Sequence, residues 1–158
     1  MKPGDPAAVE QLFDSVASRY DQLNDLLSLG LHRQWKRQLQ CFLRPAAGET
    51  WLDLCCGTGD LALELARRVR PGGSVLGLDA AAAPLDLARH RQSRQPWLNV
   101  VFQQGDALST GLPDASADGI VMAYGLRNLA DPAAGLKEMA RLLKPGRQAG
   151  VLDFNRLT

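Results

Sequence analysis

The sequence is short of cysteine, of aromatic residues and of any excess charge. Its 158 residues include three cysteines, 6% aromatic residues, and 18 Lys and Arg against 17 Asp and Glu, for a net charge of +1. So few cysteines exclude a disulfide scaffold, and the adjacent Cys55 and Cys56 lack the two-residue gap of a zinc knuckle or thioredoxin motif. A near-neutral chain has no overall attraction for nucleic acid. We therefore predict neither a metal site nor a nucleic-acid partner.

Long apolar runs are also missing. No run approaches the roughly 20 residues of a membrane span, and residues 1–5 carry proline and an acid instead of a charged-then-apolar leader. We expect a soluble, cytoplasmic protein in a reducing compartment, which can still touch a membrane surface. A chain of this length fits a single domain with one core.

Helical spacing of apolar residues marks the first 48 positions. One series lies on each side of Gly30, and Pro45 with Gly48 closes the second. Residues 1–48 are therefore predicted to form an N-terminal helical cap. The two series are Val9, Leu12, Phe13, Val16, Tyr20, Leu23 and Leu27, then Leu31, Trp35, Leu39 and Phe42.

Short β-like runs alternate with helical stretches from residue 49 onward. Strands are predicted over 50–55, 74–79, 99–103, 119–124 and 149–154, and helices over 60–69, 84–94 and 132–143. Such alternation is typical of an α/β fold, a Rossmann-like doubly wound parallel sheet of about five strands with ligands at the carboxyl ends. An open edge on the fifth strand would favour aggregation or a homodimer; a monodisperse monomer at high concentration would contradict this.

A glycine loop follows the first predicted strand. Gly57-Thr58-Gly59 lets a ligand approach the backbone closely, and Asp79 follows 20 residues later, where a carboxylate can accept from both ribose hydroxyls. With Ala62 the run also fits the dinucleotide fingerprint, so the spacing alone leaves NAD open.

Charge favours a different cofactor. Asp53 and Asp60 flank the loop, where they would repel a pyrophosphate but suit a ligand with an ammonium and a sulfonium, which is S-adenosylmethionine. Alternatively, Asp60 only caps a helix and Asp53 is a hydrogen-bonded strand residue. After the third strand, Asp106 in Gly105-Asp106-Ala107 can accept from an adenine amino group, or simply form an Asx turn.

Three sets of residues carry a family resemblance over nearly the whole chain from about Val9. Residues 53–60, with Gly77-Leu78-Asp79 and 105–107, resemble class I methyltransferases. Residues 20–35 (YDQLNDLLSLGLHRQW), 124–129 (YGLRNL) and 141–146 (RLLKPG) are similar to the ubiquinone/menaquinone biosynthesis C-methyltransferases (UbiE/MenG type). The double cysteine and residues 152–155 (LDFN) resemble the 2-phytyl-naphthoquinone branch most. Departures are Leu23 for methionine, Arg147 for glycine and Asp153 for glutamate.

The resemblance implies a fold, a reaction and a set of roles. Residues 49–158 would be the S-adenosylmethionine-binding part of a class I methyltransferase. This part ends after the fifth strand, whereas family members continue into two more strands and a helix. Whether the given chain is active is therefore left open. The substrate would be a prenylated or phytylated quinol. Cofactor contacts would come from Thr58, Asp79, Asp106, Ala107 and Ala123, and substrate contacts from Tyr20, His32, Arg127 and Asn128.

The chemistry requires a ring carbon made electron-rich by loss of a quinol proton. His32 is the obvious side-chain base by its ordinary pKa, although a buried or exposed structural histidine is the alternative. Arg127 is suited to stabilising a quinolate and holding a water, or else it forms only a loop salt bridge with Asn128 entering a helix. Tyr20 either contacts substrate or packs as a helix aromatic.

The basic residues of the second cap helix have two possible roles, at a membrane surface or over the sheet. Arg33, Lys36 and Arg37 beside Leu31 and Trp35 could lie on an anionic leaflet, where the substrate tail dissolves, or merely cover the sheet. Three rival functions remain at this stage: methylation of another small molecule, cofactor binding without catalysis, and an NAD-dependent oxidoreductase.

Overall fold

The computed structural model describes residues 30–154 together with Ser15, Arg19 and Leu26, so the predicted helix over 9–27 lies outside the described residues.

The first helix of residues 30–154 has Gly30 before it and the left-handed Arg44 after it. Helix α1 spans Leu31–Leu43 and ends at Arg44, where the N–H of Arg44 is donated to the carbonyl of Gln40. Pro45, which follows, cannot continue a helix.

Five strands form one parallel sheet in the order β3-β2-β1-β4-β5, which confirms the predicted doubly wound fold. The chain leaves β1 to build β2 and β3 on one side, and returns to the other side of β1 with β4. This reversal creates a crevice beside the carboxyl ends of β1 and β4. The strands are β1 Thr50–Leu54, β2 Ser74–Asp79, β3 Val100–Gln104, β4 Ala117–Ala123 and β5 Leu143–Leu152.

Three more helices connect the strands, with bounds close to the predicted ones. They are α2 Asp60–Arg68, α3 Ala82–Ser93 and α4 Pro132–Leu142, and a short 3-10 helix covers Leu126–Asn128. Helix α3 begins two residues before the predicted position 84 because proline is tolerated in the first turn of a helix.

The last strand differs most from its prediction over 149–154. It begins at Leu143, directly after α4, because Ala117 pairs with Leu143 before the register shifts and Gly119 pairs with Gln148. The Lys-Pro-Gly segment at 144–146 thus lies in an irregular stretch between two paired ends. At the other end, β4 stops at Ala123 because Tyr124 takes a positive φ of 61°.

Hydrophobic side chains fill both faces of the sheet. Trp51 and Val121 belong to the face that α2 and α3 cover, and Leu52 and Ile120 to the face that α4 covers. Burial on both faces is typical of parallel strands. Helix α1 packs on β5, where a Cβ at Gly150 would lie 2.6 Å from Leu43 Cδ1.

None of the helices within residues 30–154 is long and apolar enough to cross a bilayer.

Candidate functional site

The candidate site is a cavity at the carboxyl ends of β1, β2 and β4. It brings together the glycine loop after β1, the end of β2, the end of β4 with the following 3-10 helix, and the face of α1 nearest to α2. The lining residues are His32, Lys36, Cys55, Cys56, Gly57, Thr58, Asp60, Asp79, Ala80, Pro84, Ala123, Tyr124, Gly125, Arg127, Asn128, Leu129 and Phe154.

Left-handed backbone shapes the glycine loop. Gly57 has φ 54° and Gly59 φ 79°, a conformation that glycine adopts readily and other residues rarely. Gly59 also has no room for a side chain, because its Cβ would lie 2.6 Å from Cζ of Phe102 and 2.9 Å from Cβ of Ala88. The loop therefore lies close against β3 and α3, and its open side faces the cavity.

Asp79 ties the loop to the end of β2. Its Oδ2 accepts the N–H of Gly57 at 2.8 Å and its Oδ1 accepts the N–H of Ala81 at 2.9 Å. Each carboxylate oxygen has a second lone pair, so both can still accept a ligand hydroxyl. The structure thus places Asp79 in the cavity, where the sequence predicted a ribose contact; that contact itself remains a prediction.

Thr58 is held by the helix that follows β2. It is buried, and its Oγ1 accepts from Nη1 of Arg91 at 3.1 Å. The hydroxyl hydrogen of Thr58 is left for another acceptor. Ala123 lines the cavity from the last position of β4, and its cofactor contact remains a prediction.

Asp53 is not an exposed charge beside the loop. Its side chain is 1% exposed and is absent from the cavity wall, and Oδ2 has no hydrogen-bond partner among the described residues. Burial and the nearby Asp60 carboxylate raise the pKa of Asp53 well above its ordinary value. The predicted direct electrostatic role of Asp53 is therefore corrected: a desolvated carboxyl favours its neutral form.

Asp60 does line the cavity, but it is already paired. Its Oδ2 lies 2.6 Å from Nζ of Lys36, and its Oδ1 accepts the N–H of Leu61 at 3.0 Å. Burial acts to raise the pKa of Asp60, but the Lys36 ammonium and its hydrogen bond outweigh it and hold that pKa below the ordinary value. Gly59 is the N-cap of α2, so Asp60 is the first helical residue and not the cap itself.

Asp106 forms the Asx turn that was the alternative to adenine binding. Its Oδ1 accepts the N–H of Leu108 at 2.8 Å, and its side chain is exposed, while Ala107 is buried. Neither residue belongs to the cavity wall. Asp106 nevertheless acts on the site electrostatically. The pKa of the Cys55 thiol is raised to about 11, mainly by burial and then by the nearby side chains of Asp79, Asp53 and Asp106.

Arg127 and Asn128 lie together at the rim. Arg127 Nη1 is 3.5 Å from Oδ1 of Asp153, and the Arg127 N–H is donated to Oδ2 of the same carboxylate at 3.0 Å. Asn128 donates to the carbonyl of Tyr124 at 3.4 Å. The loop salt bridge considered from the sequence is thus present, and Arg127 still borders the cavity with about half of its side chain exposed.

His32 lies at the start of α1, is 7% exposed and lines the cavity. Tyr20 lies outside the described residues. Lys36 and Tyr124 are among the wall residues that were not predicted as site residues from the sequence. Tyr124 stacks on Phe154 with ring centroids 5.0 Å apart, and its hydroxyl has no partner among the described residues. The spacing of four residues between His32 and Lys36, one turn of helix, was the signal for Lys36.

Comparison with known proteins gives a consistent set of relatives. The model of the ubiE/COQ5 methyltransferase family matches residues 1–158. The 2-phytyl-1,4-naphtoquinone methyltransferase of Thermosynechococcus vestitus is 49% identical over 147 residues, which are 93% of this chain and 64% of that protein. The demethylmenaquinone methyltransferase of Lactobacillus johnsonii is 41% identical over 151 residues, 95% of this chain and 62% of that one. The chain thus spans less than two thirds of either relative.

A solved structure shows the same fold. The SAM dependent methyltransferase from Aquifex aeolicus superposes with a TM-score of 0.69 at 24% identity, over 75% of this chain and 63% of that chain. At this identity the likeness supports the Rossmann-like architecture alone.

Proposed function

Because the chain belongs to the ubiE/COQ5 methyltransferase family, we propose that it binds S-adenosylmethionine and methylates a ring carbon of a demethylated naphthoquinol, in phylloquinone or menaquinone biosynthesis. The names of the relatives at 49% and 41% identity support a naphthoquinone ring, and the higher identity favours a phytylated substrate. The chain spans less than two thirds of these relatives, so the proposal concerns the activity of the whole protein.

The contacts of the glycine loop carry the cofactor assignment. A pyrophosphate binds to free N–H groups at an uncluttered helix N-terminus. Here three of these N–H groups are already used: that of Gly57 by Asp79, that of Gly59 by the carbonyl of Cys56, and that of Leu61 by Asp60. The loop is therefore better suited to a nucleoside without phosphate and with positive charge, which favours S-adenosylmethionine over NAD.

The chain offers a distinct group for each part of this cofactor. Asp79 would hold the ribose hydroxyls, and the segment of Asp106 and Ala107 would border the adenine. Gly57, Thr58, Gly59 and Ala123 would contact the cofactor through the cavity wall, while the buried Asp53 would make no direct contact. When bound, S-adenosylmethionine supplies a methyl group on a positively charged sulfur.

The rim residues would act on the quinol. Loss of a quinol proton makes the ring carbon nucleophilic, and the guanidinium of Arg127 can stabilise the resulting oxyanion and hold a water that accepts the proton. His32 lines the same cavity and is the alternative base. Asn128, beside Arg127, can orient a quinol oxygen, and Tyr20 retains its proposed substrate role from the family motif.

Calorimetric titration with S-adenosylmethionine tests the cofactor part of the proposed function. Asp79→Ala removes the acceptor of two ribose hydrogen bonds, each worth about 1.5–3 kcal/mol to a charged group, so affinity should fall by at least about 100-fold. Asp86→Ala is the matched control, because Asp86 is exposed on α3 and pairs only with Arg89 at 3.0 Å among the contacts described. Equal affinities of the two variants, or preferential binding of NADH by wild type, would refute the assignment.

An assay of methyl transfer to demethylated naphthoquinols, in the same preparation, tests the catalytic part of the proposed function. The methylated product is detected by mass spectrometry. Arg127→Lys should lower kcat, since an ammonium cannot present the planar donor pair of a guanidinium. Turnover of an unrelated small molecule but of no quinol would support the rival methyltransferase reading. Cofactor binding without any turnover would support a binding function for this length of chain.

The exposed apolar residues of α1 support contact with a membrane surface. Phe42 is 77% exposed and Leu31 41% on one side of the helix, and Arg33 and Arg37 are exposed on its opposite side. A phytyl tail dissolves in the bilayer, so a basic and partly apolar helix at the surface would meet its substrate there. Flotation with anionic vesicles should recover the wild type and less of a Phe42→Ser variant; no recovery of wild type would contradict this proposal.

A further inference from the structure

The Lys36–Asp60 ion pair lies on the cavity wall and joins two helices. Lys36 reaches from α1 to the first residue of α2, with 2.6 Å between Nζ and Oδ2, and only 18% of its side chain is exposed. The ammonium also lies 5.8 Å from the centre of the Tyr124 ring. Both partners therefore face the space next to the glycine loop, between the expected cofactor and the rim residues.

This pair matches the charged end of an α-amino acid. S-adenosylmethionine carries an ammonium and a carboxylate on one carbon, so its two opposite charges are held at a short fixed separation. A protein cation and anion in direct contact can re-pair with such a group, with the ammonium facing Asp60 and the carboxylate facing Lys36. A lone carboxylate at this place would attract one end and repel the other.

The geometry points to a specific role: we propose that Lys36 and Asp60 together bind the zwitterionic methionyl end of S-adenosylmethionine, Lys36 holding its carboxylate and Asp60 its ammonium. The inference rests on the cofactor half of the proposed function and is independent of the methyl acceptor. It gives α1 a direct part in cofactor binding, because that helix supplies the cation. Charge-assisted contacts in a partly buried site are stronger than those of exposed pairs.

Two pairs of ligands, each with the same kind of sulfur, provide the test. S-adenosylmethionine and decarboxylated S-adenosylmethionine are sulfonium ions that differ by the carboxylate. S-adenosylhomocysteine and methylthioadenosine are thioethers with and without the zwitterionic amino-acid end. Lys36→Met keeps most of the side-chain length and removes the charge. It should weaken binding of S-adenosylhomocysteine by about 10- to 100-fold, the value of one charge-assisted hydrogen bond, and leave methylthioadenosine within about 3-fold.

The other variants separate recognition from folding. Asp60→Asn should weaken S-adenosylhomocysteine and decarboxylated S-adenosylmethionine alike, whereas Lys36→Met should spare the decarboxylated ligand. Lys36→Arg should restore most of the affinity. Lys137→Met is the matched control, because Lys137 is exposed on α4 on the other face of the sheet. Unchanged binding of methylthioadenosine by each variant serves as the measure of an intact site.

Several outcomes would overturn the inference. Equal loss for S-adenosylhomocysteine and methylthioadenosine in Lys36→Met would mean that the ion pair only supports the fold, and no loss would mean that the zwitterion lies elsewhere. Should Lys36→Met not fold, Asp60→Asn decides, since it should weaken S-adenosylhomocysteine by at least about 10-fold and leave methylthioadenosine within about 3-fold. A wild type that binds none of these nucleosides overturns the proposed function as well.

Discussion

Alanine substitution of the two loop glycines should separate backbone strain from close packing. Gly57 and Gly59 both have positive φ, so alanine at either position costs about 1–2 kcal/mol in the folded state. A Cβ at Gly57 meets nothing within 4 Å, but a Cβ at Gly59 would lie 2.6 Å from the Phe102 ring and 2.9 Å from Ala88. Such overpacking costs a further ~1–3 kcal/mol.

Gly59→Ala should therefore be destabilised by about 2–5 kcal/mol and Gly57→Ala by about 1–2 kcal/mol. The effect of a Gly-to-Ala change on the unfolded chain is common to both variants and cancels in their difference. Urea unfolding followed by circular dichroism measures that difference, provided that the m-values agree.

A second substitution identifies the contact responsible. Phe102→Leu removes the ring atoms nearest to the added methyl group, so in a double-mutant cycle it should recover about 1 kcal/mol or more of the Gly59→Ala loss, although the Ala88 contact remains. Equal destabilisation of the two alanine variants, or strict additivity in the cycle, would refute the close approach of the loop to β3. The Gly57→Ala variant should lose more free energy of cofactor binding than of folding, because Gly57 borders the cavity.

Two further predictions concern titration. Hydrogen bonds from Arg141 and Thr110 lower the folded-state pKa of Glu138 to about 2 from its ordinary 4.5. The carboxylate therefore contributes stability above pH 4.5 that is lost as the pH falls towards 2. Glu138→Gln should flatten this part of the curve of unfolding free energy against pH, and an unchanged slope would refute the prediction. The thiol of Cys55, with its pKa raised to about 11, should resist iodoacetamide at pH 8 while exposed Cys41 reacts, as peptide mass mapping would show; modification of Cys55 first would contradict the negative field of the site.

The order of elements could be predicted from the sequence because it depends on local patterns. Apolar runs separated by helical stretches gave the parallel sheet, and the loop after β1 and the end of β2 gave Gly57 and Asp79 as wall residues, whereas Ala123 came from the family resemblance alone. The bounds of β5 could not be predicted in this way. They depend on a register shift between Ala117 and Gly119 of the neighbouring strand, which is a property of the pairing and not of residues 143–154 alone.

Charge at the site could not be predicted either, because it depends on pairs far apart in the chain. From the sequence, Asp53 and Asp60 are two equivalent carboxylates seven residues apart. In the fold, the alternation of β1 turns Asp53 into the interior, where water cannot stabilise its charge, while Asp60 at the start of α2 meets Lys36, 24 residues earlier.

The same pairing changes the argument for the cofactor. If both carboxylates were free, their combined charge would attract any cation, and the case for S-adenosylmethionine would rest on net charge. With Asp53 buried and Asp60 paired to Lys36, what remains is an ordered pattern of charges: the Asp79 carboxylate beside the loop, then an anion and a cation in contact, then the Arg127 cation at the rim. A ligand complementary to that pattern needs a neutral sugar, a zwitterion and an acceptor that becomes anionic. S-adenosylmethionine with a quinol meets all three requirements, whereas a dinucleotide places two phosphate charges where the chain has already used three of its N–H groups.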